Sequence, residues 1–127
     1  MNALGSHILA EYYDCDINIL NNLELLKQYM HEAAIKSGAT IVGSTFHQYN
    51  PHGVSGVIVI AESHMAMHTW PEYGYAAVDF FTCGERVDPW KAFDYMNKKL
   101  KSAKNSKKEL KRGLIEAESQ KLLEVPL

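Results

Sequence analysis

With 127 residues, 46% of them hydrophobic and 22% charged, the chain is expected to form one domain over residues 1–127, leaving no room for a second core. Thirteen Lys and Arg against fifteen Asp and Glu give a formal charge of −2, which excludes a global field drawing the protein to nucleic acid or an anionic membrane, so no partner of either kind is expected. Cys15 and Cys83 are too few for a disulfide framework, no signal-peptide pattern is visible and no apolar run approaches the roughly 20 residues of a membrane span, so the expected setting is the reducing cytoplasm.

Taken in chain order, His7 to Tyr13 (HILAEYY) mixes apolar and aromatic residues over the length of a strand, and Asp14, Cys15 and Asp16 interrupt it. From Ile17 to Ser37 apolar residues recur at Ile19, Leu23, Leu26, Met30, Ala33 and Ala34. This spacing predicts one helix, with Asp16 as its cap and Gly38 at its end. Residues 39–49 and 54–62 are β-branched runs on either side of a turn at Pro51 and Gly53, and predict a hairpin. A second hairpin is predicted from residues 65–70 and 75–83 around Pro71 and Gly74. Asp88 and Pro89 then stand at the cap and first position of a second helix, with Trp90, Phe93, Met96, Asn97 and Leu100 along one side.

Eight of the thirteen basic residues lie between Lys98 and Arg112. This stretch reads as a solvated helix end and loop, with an electrostatic docking surface as the alternative. Leu110 to Glu116 can add an edge strand, and the final residues are expected to be loose. Two helices among five or six hairpin-joined strands predict an α+β fold, a two-layer α/β sandwich with a mainly antiparallel sheet and helices on one face. Tyr12, Phe46, Phe80 and Phe81 place apolar groups on both strand parities, so a second copy is expected to cover the other face.

Residues 62–85 (ESHMAMHTWPEYGYAAVDFFTCGE) crowd a hydroxyl, two imidazoles, a thiol and carboxylates around the second hairpin. If a four-residue loop makes Trp70 pair with Tyr75, every opposed pair in this antiparallel register sums to about 145. His68 then shares a face with Trp70, Tyr75, Asp79 and Cys83, and Cys83 falls opposite Glu62. Each residue alone has a bland reading. A serine or histidine on a strand is commonly a satisfied polar group, Cys83 a small buried hydrophobe and Trp70 a core residue. His64 and His68 have HxxxH spacing, which aims two metal ligands to one side only in a helix, so no metal site is expected on this β-like segment. A convergence of Ser63, His68 and Cys83 at one end of the sheet is what favours chemistry.

The block ESHMAMHTWPEYGYAAVDFFTCG resembles the centre of the small bacterial and archaeal S-adenosylmethionine decarboxylases. The likeness extends through GATIVGSTFHQYNPHGVSGVIVIAESH and LGSHILAEYYDCD upstream and VDPWKAFDYM downstream, covering residues 4 to about 96. Met65, Ala66 and Met67 replace the hydrophobic or small residues usual in the family. The resemblance implies a proenzyme that cuts itself between Glu62 and Ser63 into a β chain (1–62) and an α chain (63–127). Ser63 becomes a pyruvoyl group, the covalent cofactor and Schiff-base site. His68 corresponds to the processing base, Ser55 to a supporting hydroxyl and Cys83 to the proton donor in turnover. Tyr49 and Trp70 correspond to stacking partners of adenine, and Glu72 to an acceptor for the ribose hydroxyls. The implied product is the aminopropyl donor of polyamine synthesis, and the implied assembly is two α and two β chains. A pyruvoyl-dependent arginine or ornithine decarboxylase of the same family is the rival substrate reading. A non-catalytic regulatory relative that never processes is the rival of another class.

Overall fold

Strand-forming runs joined by tight turns dominate residues 2–115, which are the residues described by this computed structural model. They form β1 (Asn2–Tyr13), α1 (Ile17–Leu20), α2 (Leu23–Lys36), β2 (Ile41–Gln48), β3 (Val54–Ile60), β4 (Ser63–Trp70), one turn of 3-10 helix (Pro71–Tyr73), β5 (Tyr75–Cys83), α3 (Pro89–Lys99) and β6 (Lys104–Ile115). The six strands pair antiparallel in the spatial order β2, β3, β4, β5, β1, β6.

The period of two along each strand decides what faces the helices. Ile8, Ala10 and Tyr12 of β1, Ile58 and Ile60 of β3, Met65 and Met67 of β4 and Val78 and Phe80 of β5 are buried there against Leu26, Met30, Ala33, Phe93 and Met96. Burying each large side chain stabilises by about 1.5–3 kcal/mol. The result is the expected two-layer α/β sandwich. The opposite face has no helix over it and presents Leu9, Val57, Val59, Trp70, Leu110 and Leu114, all exposed.

The long helix expected over 17–37 is instead two. Asp16 accepts from the backbone N–H of Asn18 and Ile19 to start α1, and Asn22 accepts from that of Leu25 to start α2. Between them Asn21 Oδ1 accepts from Gln48 Nε2 at 3.0 Å and from the Gly53 N–H at 2.9 Å. The break therefore ties the helical layer to the β2–β3 connection, a long-range contact that helical periodicity does not carry. The basic segment after α3 is mainly an edge strand and not the expected loop. Its lysines suit an edge, where like charge discourages pairing with another chain. The expected strand end at Glu116 and the loose final residues lie outside the described residues.

One polar side chain is built into the core beneath the candidate site. Thr69 Oγ1 accepts from the Val54 N–H at 2.9 Å and donates to the Leu20 carbonyl at 2.8 Å, and the residue is 6% exposed. Thr69→Val keeps the shape but leaves two buried backbone groups unpaired. It is expected to lower unfolding free energy by roughly 2–4 kcal/mol, read from urea denaturation.

Candidate active site

Ser63 opens β4, opposite Ile60 of β3 and Thr82 of β5. The register predicted from the Pro71–Gly74 turn is the observed one, with Trp70 opposite Tyr75. Gly74 supplies the left-handed turn residue at φ 61°. At the far end of the same ladder the Cys83 N–H donates to the Glu62 carbonyl at 2.8 Å. The Ala61 N–H donates to the Thr40 carbonyl at 2.8 Å, and Glu62 Oε1 accepts from the Thr40 N–H at 3.2 Å. The turn before Ser63 is thus tied to β5 through the Glu62 carbonyl and to Thr40, just ahead of β2, through Ala61 and the Glu62 side chain. Ser63 itself has φ 147°, a conformation that costs a non-glycine residue about 1–3 kcal/mol and persists only where surroundings impose it. Cys83 is exposed. A cavity of about 370 Å³ lined by Leu4, Gly5, Ser6, Thr82, Gly84 and Glu85, among others, adjoins this end. Gly5 sits opposite Cys83, where a Cβ would lie 2.6 Å from the Phe81 ring, so glycine is what lets that ring lie across β1.

A second group gathers at the other end of β4. Ser55 pairs with His68 across the β3–β4 ladder, and Ser55 Oγ lies 2.7 Å from His68 Nδ1. Tyr49, His52, Ser55, His68, Trp70 and Glu72 line a cavity of about 330 Å³. The Trp70 ring stacks on Tyr75 with centroids 5.3 Å apart, and Glu72 Oε2 lies 3.0 Å from His52 Nε2. His52 is a lining residue that sequence reasoning missed; as a lone histidine in a turn it carries no sequence signal. A larger cleft of about 550 Å³ on the helical layer is lined by Lys36, Lys91, Lys98, Lys99, Asp94 and Tyr95 and contains none of the predicted residues.

Cys83 shares the open sheet face with His68 and Trp70, as the register requires, while Ser63 pairs with buried Ile60 and Thr82 on the other parity, and the two groups do not meet within one chain. Ser63 and His68 are five residues apart on a continuous strand, hence about 16 Å apart. The expected convergence of three residues is therefore a pair, Ser63 with Cys83, while His68 joins Ser55, Tyr49, Trp70 and Glu72. Closeness along the chain becomes distance when the segment is extended. The same arithmetic separates His64 from His68 by about 13 Å, too far to share an ion.

The other cysteine differs in kind. Cys15 is 6% exposed, and burial, with Asp14 adding to it, pushes its thiol up to about 11 from 9.0. Because the folded value lies above the unfolded one, the stability tied to this proton is full below about pH 9 and is lost as pH rises through about 11. Chemical denaturation between pH 8 and pH 11 is expected to show a decline that Cys15→Ala reduces.

A model of the S-adenosylmethionine decarboxylase family matches residues 6–113. The S-adenosylmethionine decarboxylase proenzyme of Thermotoga petrophila is 58% identical over 89% of this chain and 87% of the relative. That of Thermosipho melanesiensis is 63% identical over 80% of this chain and 78% of the relative. The crystal structure of the adenosylmethionine decarboxylase from Aquifex aeolicus superposes with a TM-score of 0.87 at 35% identity, covering 92% of this chain and 97% of that one. A match that runs from β1 through β6 takes in both ends of β4, and with identities this high over nearly the whole chain the protein belongs to the S-adenosylmethionine decarboxylase family.

Proposed function

We propose that the chain is a proenzyme that cleaves itself between Glu62 and Ser63, and then decarboxylates S-adenosylmethionine with the pyruvoyl group left at position 63. The observation that carries this reading is the clamped, strained Glu62–Ser63 peptide with Cys83 beside it. Ser63 Oγ, on the residue bonded to the Glu62 carbonyl, attacks that carbonyl and converts amide to ester. The Cys83 N–H, already donating to that carbonyl oxygen, stabilises the charge that develops on it. Loss of the Ser63 Cα proton then expels the Glu62 carboxylate and leaves dehydroalanine, whose imine tautomer is hydrolysed by water to the ketone with release of ammonia. A neutral imidazole suits that proton transfer, which is the role of His68, with Ser55 holding its Nδ1. In turnover the pyruvoyl group supplies an electron sink, and the Cys83 thiol supplies the proton that replaces the lost carboxylate.

His68 reaches Ser63 only from a second copy. Two sheets packed face to face lie about 10 Å apart. If a two-fold axis runs β4 of one copy opposite to β4 of the other, each Ser63–Cys83 end faces the partner's pocket of Tyr49, Ser55, His68, Trp70 and Glu72. The exposed apolar residues of the open face then become the interface core. After cleavage the assembly is two α and two β chains. The described residues contain no helix long and apolar enough to cross a membrane, and two free cysteines suit a reducing cytoplasm.

Gathering Tyr49, Trp70 and Glu72 in one cavity favours an adenosyl substrate over arginine or ornithine, because those amino acids offer neither a ring to stack nor a diol to bind. Glu72→Gln is expected to raise KM for S-adenosylmethionine roughly 10–100-fold, while cleavage of the proenzyme proceeds normally. Equal losses in both would remove the ribose role. The proposal as a whole is tested by denaturing mass spectrometry of the purified protein followed by carbon dioxide release assays. Fragments 1–62 and 63–127, the second blocked at its terminus, are expected, with release from S-adenosylmethionine. A chain that stays whole overturns the cleavage, and release from arginine alone overturns the substrate.

A further inference from the structure

The strained conformation at Ser63 is restrained from its other side too, through the side chain of the next residue. His64 Nε2 lies 3.2 Å from Asp79 Oδ2, and the same oxygen lies 2.8 Å from His7 Nε2. His7 Nδ1 in turn lies 3.3 Å from a guanidinium nitrogen of Arg112. A guanidinium only donates, so His7 Nδ1 accepts and a neutral His7 ring carries its proton on Nε2, toward the carboxylate. The ionised carboxylate accepts from both rings. Since β6, β1, β5 and β4 are consecutive neighbours in the sheet, Arg112, His7, Asp79 and His64 form one ladder across four strands. It ends on the residue bonded to Ser63. Phe81 packs against it, with ring centroids 5.1 Å from His7 and 5.6 Å from His64, and Arg112 stacked 5.0 Å over the ring.

A divalent cation is the competing reading of the trio, whose ligand atoms all lie within 4.8 Å of one another. The Arg112 contact on Nδ1 puts the proton of a neutral His7 on Nε2, toward the carboxylate oxygen such an ion would need, and a permanent positive charge stands behind that ring. The geometry fits a hydrogen-bond ladder and repels a metal.

We propose that Asp79 is a positioning residue for self-cleavage: by gripping His64 from β5 it holds the Ser63 backbone in its high-energy conformation in the uncleaved chain. This rests on cleavage between Glu62 and Ser63 as proposed above. Once that bond breaks, residue 63 is free of Glu62 and the ladder has no strained peptide left to hold. Its effect is therefore confined to the cleavage step. A residue that merely supported the sheet would affect cleavage, turnover and thermal stability together.

The test is the cleavage time course of freshly made protein, followed by denaturing mass spectrometry, and then steady-state kinetics of each variant after cleavage is complete. Asp79→Asn, which weakens both hydrogen bonds, is expected to cleave at least roughly tenfold more slowly. Its kcat and KM once cleaved are expected to match wild type. His64→Gln, which retains an N–H for Asp79, is expected to cleave faster than His64→Ala, and this pair decides the matter if Asp79→Asn does not fold. Wild-type cleavage with Asp79→Asn equally fast, or with His64→Gln no faster than His64→Ala, overturns the positioning role alone. So does a parallel fall in cleavage, kcat and melting temperature. A wild-type chain that stays whole overturns the cleavage reading and this proposal with it.

Discussion

Chains carrying Ser63→Ala and chains carrying His68→Ala are each expected to stay whole when purified alone, yet mixed dimers of the two are expected to be cut. Every cut should fall in the chain carrying His68→Ala. The reasoning is geometric. Ser63 and His68 stand about 16 Å apart on β4, and the sheet face that bears His68 and Cys83 is open. In a mixed dimer one composite site combines the intact Ser63 of one chain with the intact His68 of the other, and the second site lacks both. Random pairing makes half the dimers mixed, so about a quarter of the wild-type number of sites recovers. Denaturing mass spectrometry assigns the cut, because only fragments of the chain carrying His68→Ala appear. Ser55→Ala in place of His68→Ala is expected to give the same pattern, since Ser55 belongs to the same half of the site. A mixture that stays uncut would mean that one chain builds the whole site by bending β4, and the composite arrangement would fall.

How much of this was legible in the sequence depends on the range of the interaction that decides each feature. The β4–β5 hairpin is decided locally: Pro71 and Gly74 set the turn, and from the turn alone the register places Cys83 against Glu62, each nine residues away from it. The observed Cys83 to Glu62 hydrogen bond is that register carried to its end. The turn between β3 and β4 was not legible, because Ala61 and Glu62 carry no turn chemistry and read as a continuation of the β-branched run; pairing of Ile60 with Ser63 is what folds the chain there. The division of the long helix at Asn21 depends on Gln48 and Gly53, residues that no window around position 21 contains. β1 reaches back to Asn2, and β6 takes up the basic segment, because each is the other's partner. The candidate site divides in the same way. Its residue types, and the face that Cys83, His68 and Trp70 share, follow from motif and parity, whereas its separation into two ends follows from strand rise, and the proposed completion by a second copy from neither. His7 and Asp79 are 72 positions apart, and nothing in the sequence around either one announces the other.

Cys83→Ala is expected to yield a protein that still cleaves to completion but turns over S-adenosylmethionine about 10²- to 10⁴-fold more slowly, the usual loss when a positioned general acid is removed. The two effects separate because Cys83 contributes through different atoms. Its backbone N–H donates to the Glu62 carbonyl, and alanine retains that donor in the same register. Only Sγ is lost. Cys15, the other free cysteine, cannot take over, because it lies buried on the opposite side of the sheet with its thiol pushed up by burial. The proton then arrives at the substrate carbon from water or not at all. A proton delivered instead to the carbon at position 63 ends with an amine there and an aldehyde released, so the variant is also expected to inactivate itself as it turns over. Mass spectrometry of the α chain before and after turnover reads that change directly, and comparison of kcat with the cleavage time course reads the separation. A variant that loses cleavage and turnover by equal factors would place the thiol in the self-cleavage step, and one that keeps wild-type kcat would mean that another group delivers the proton.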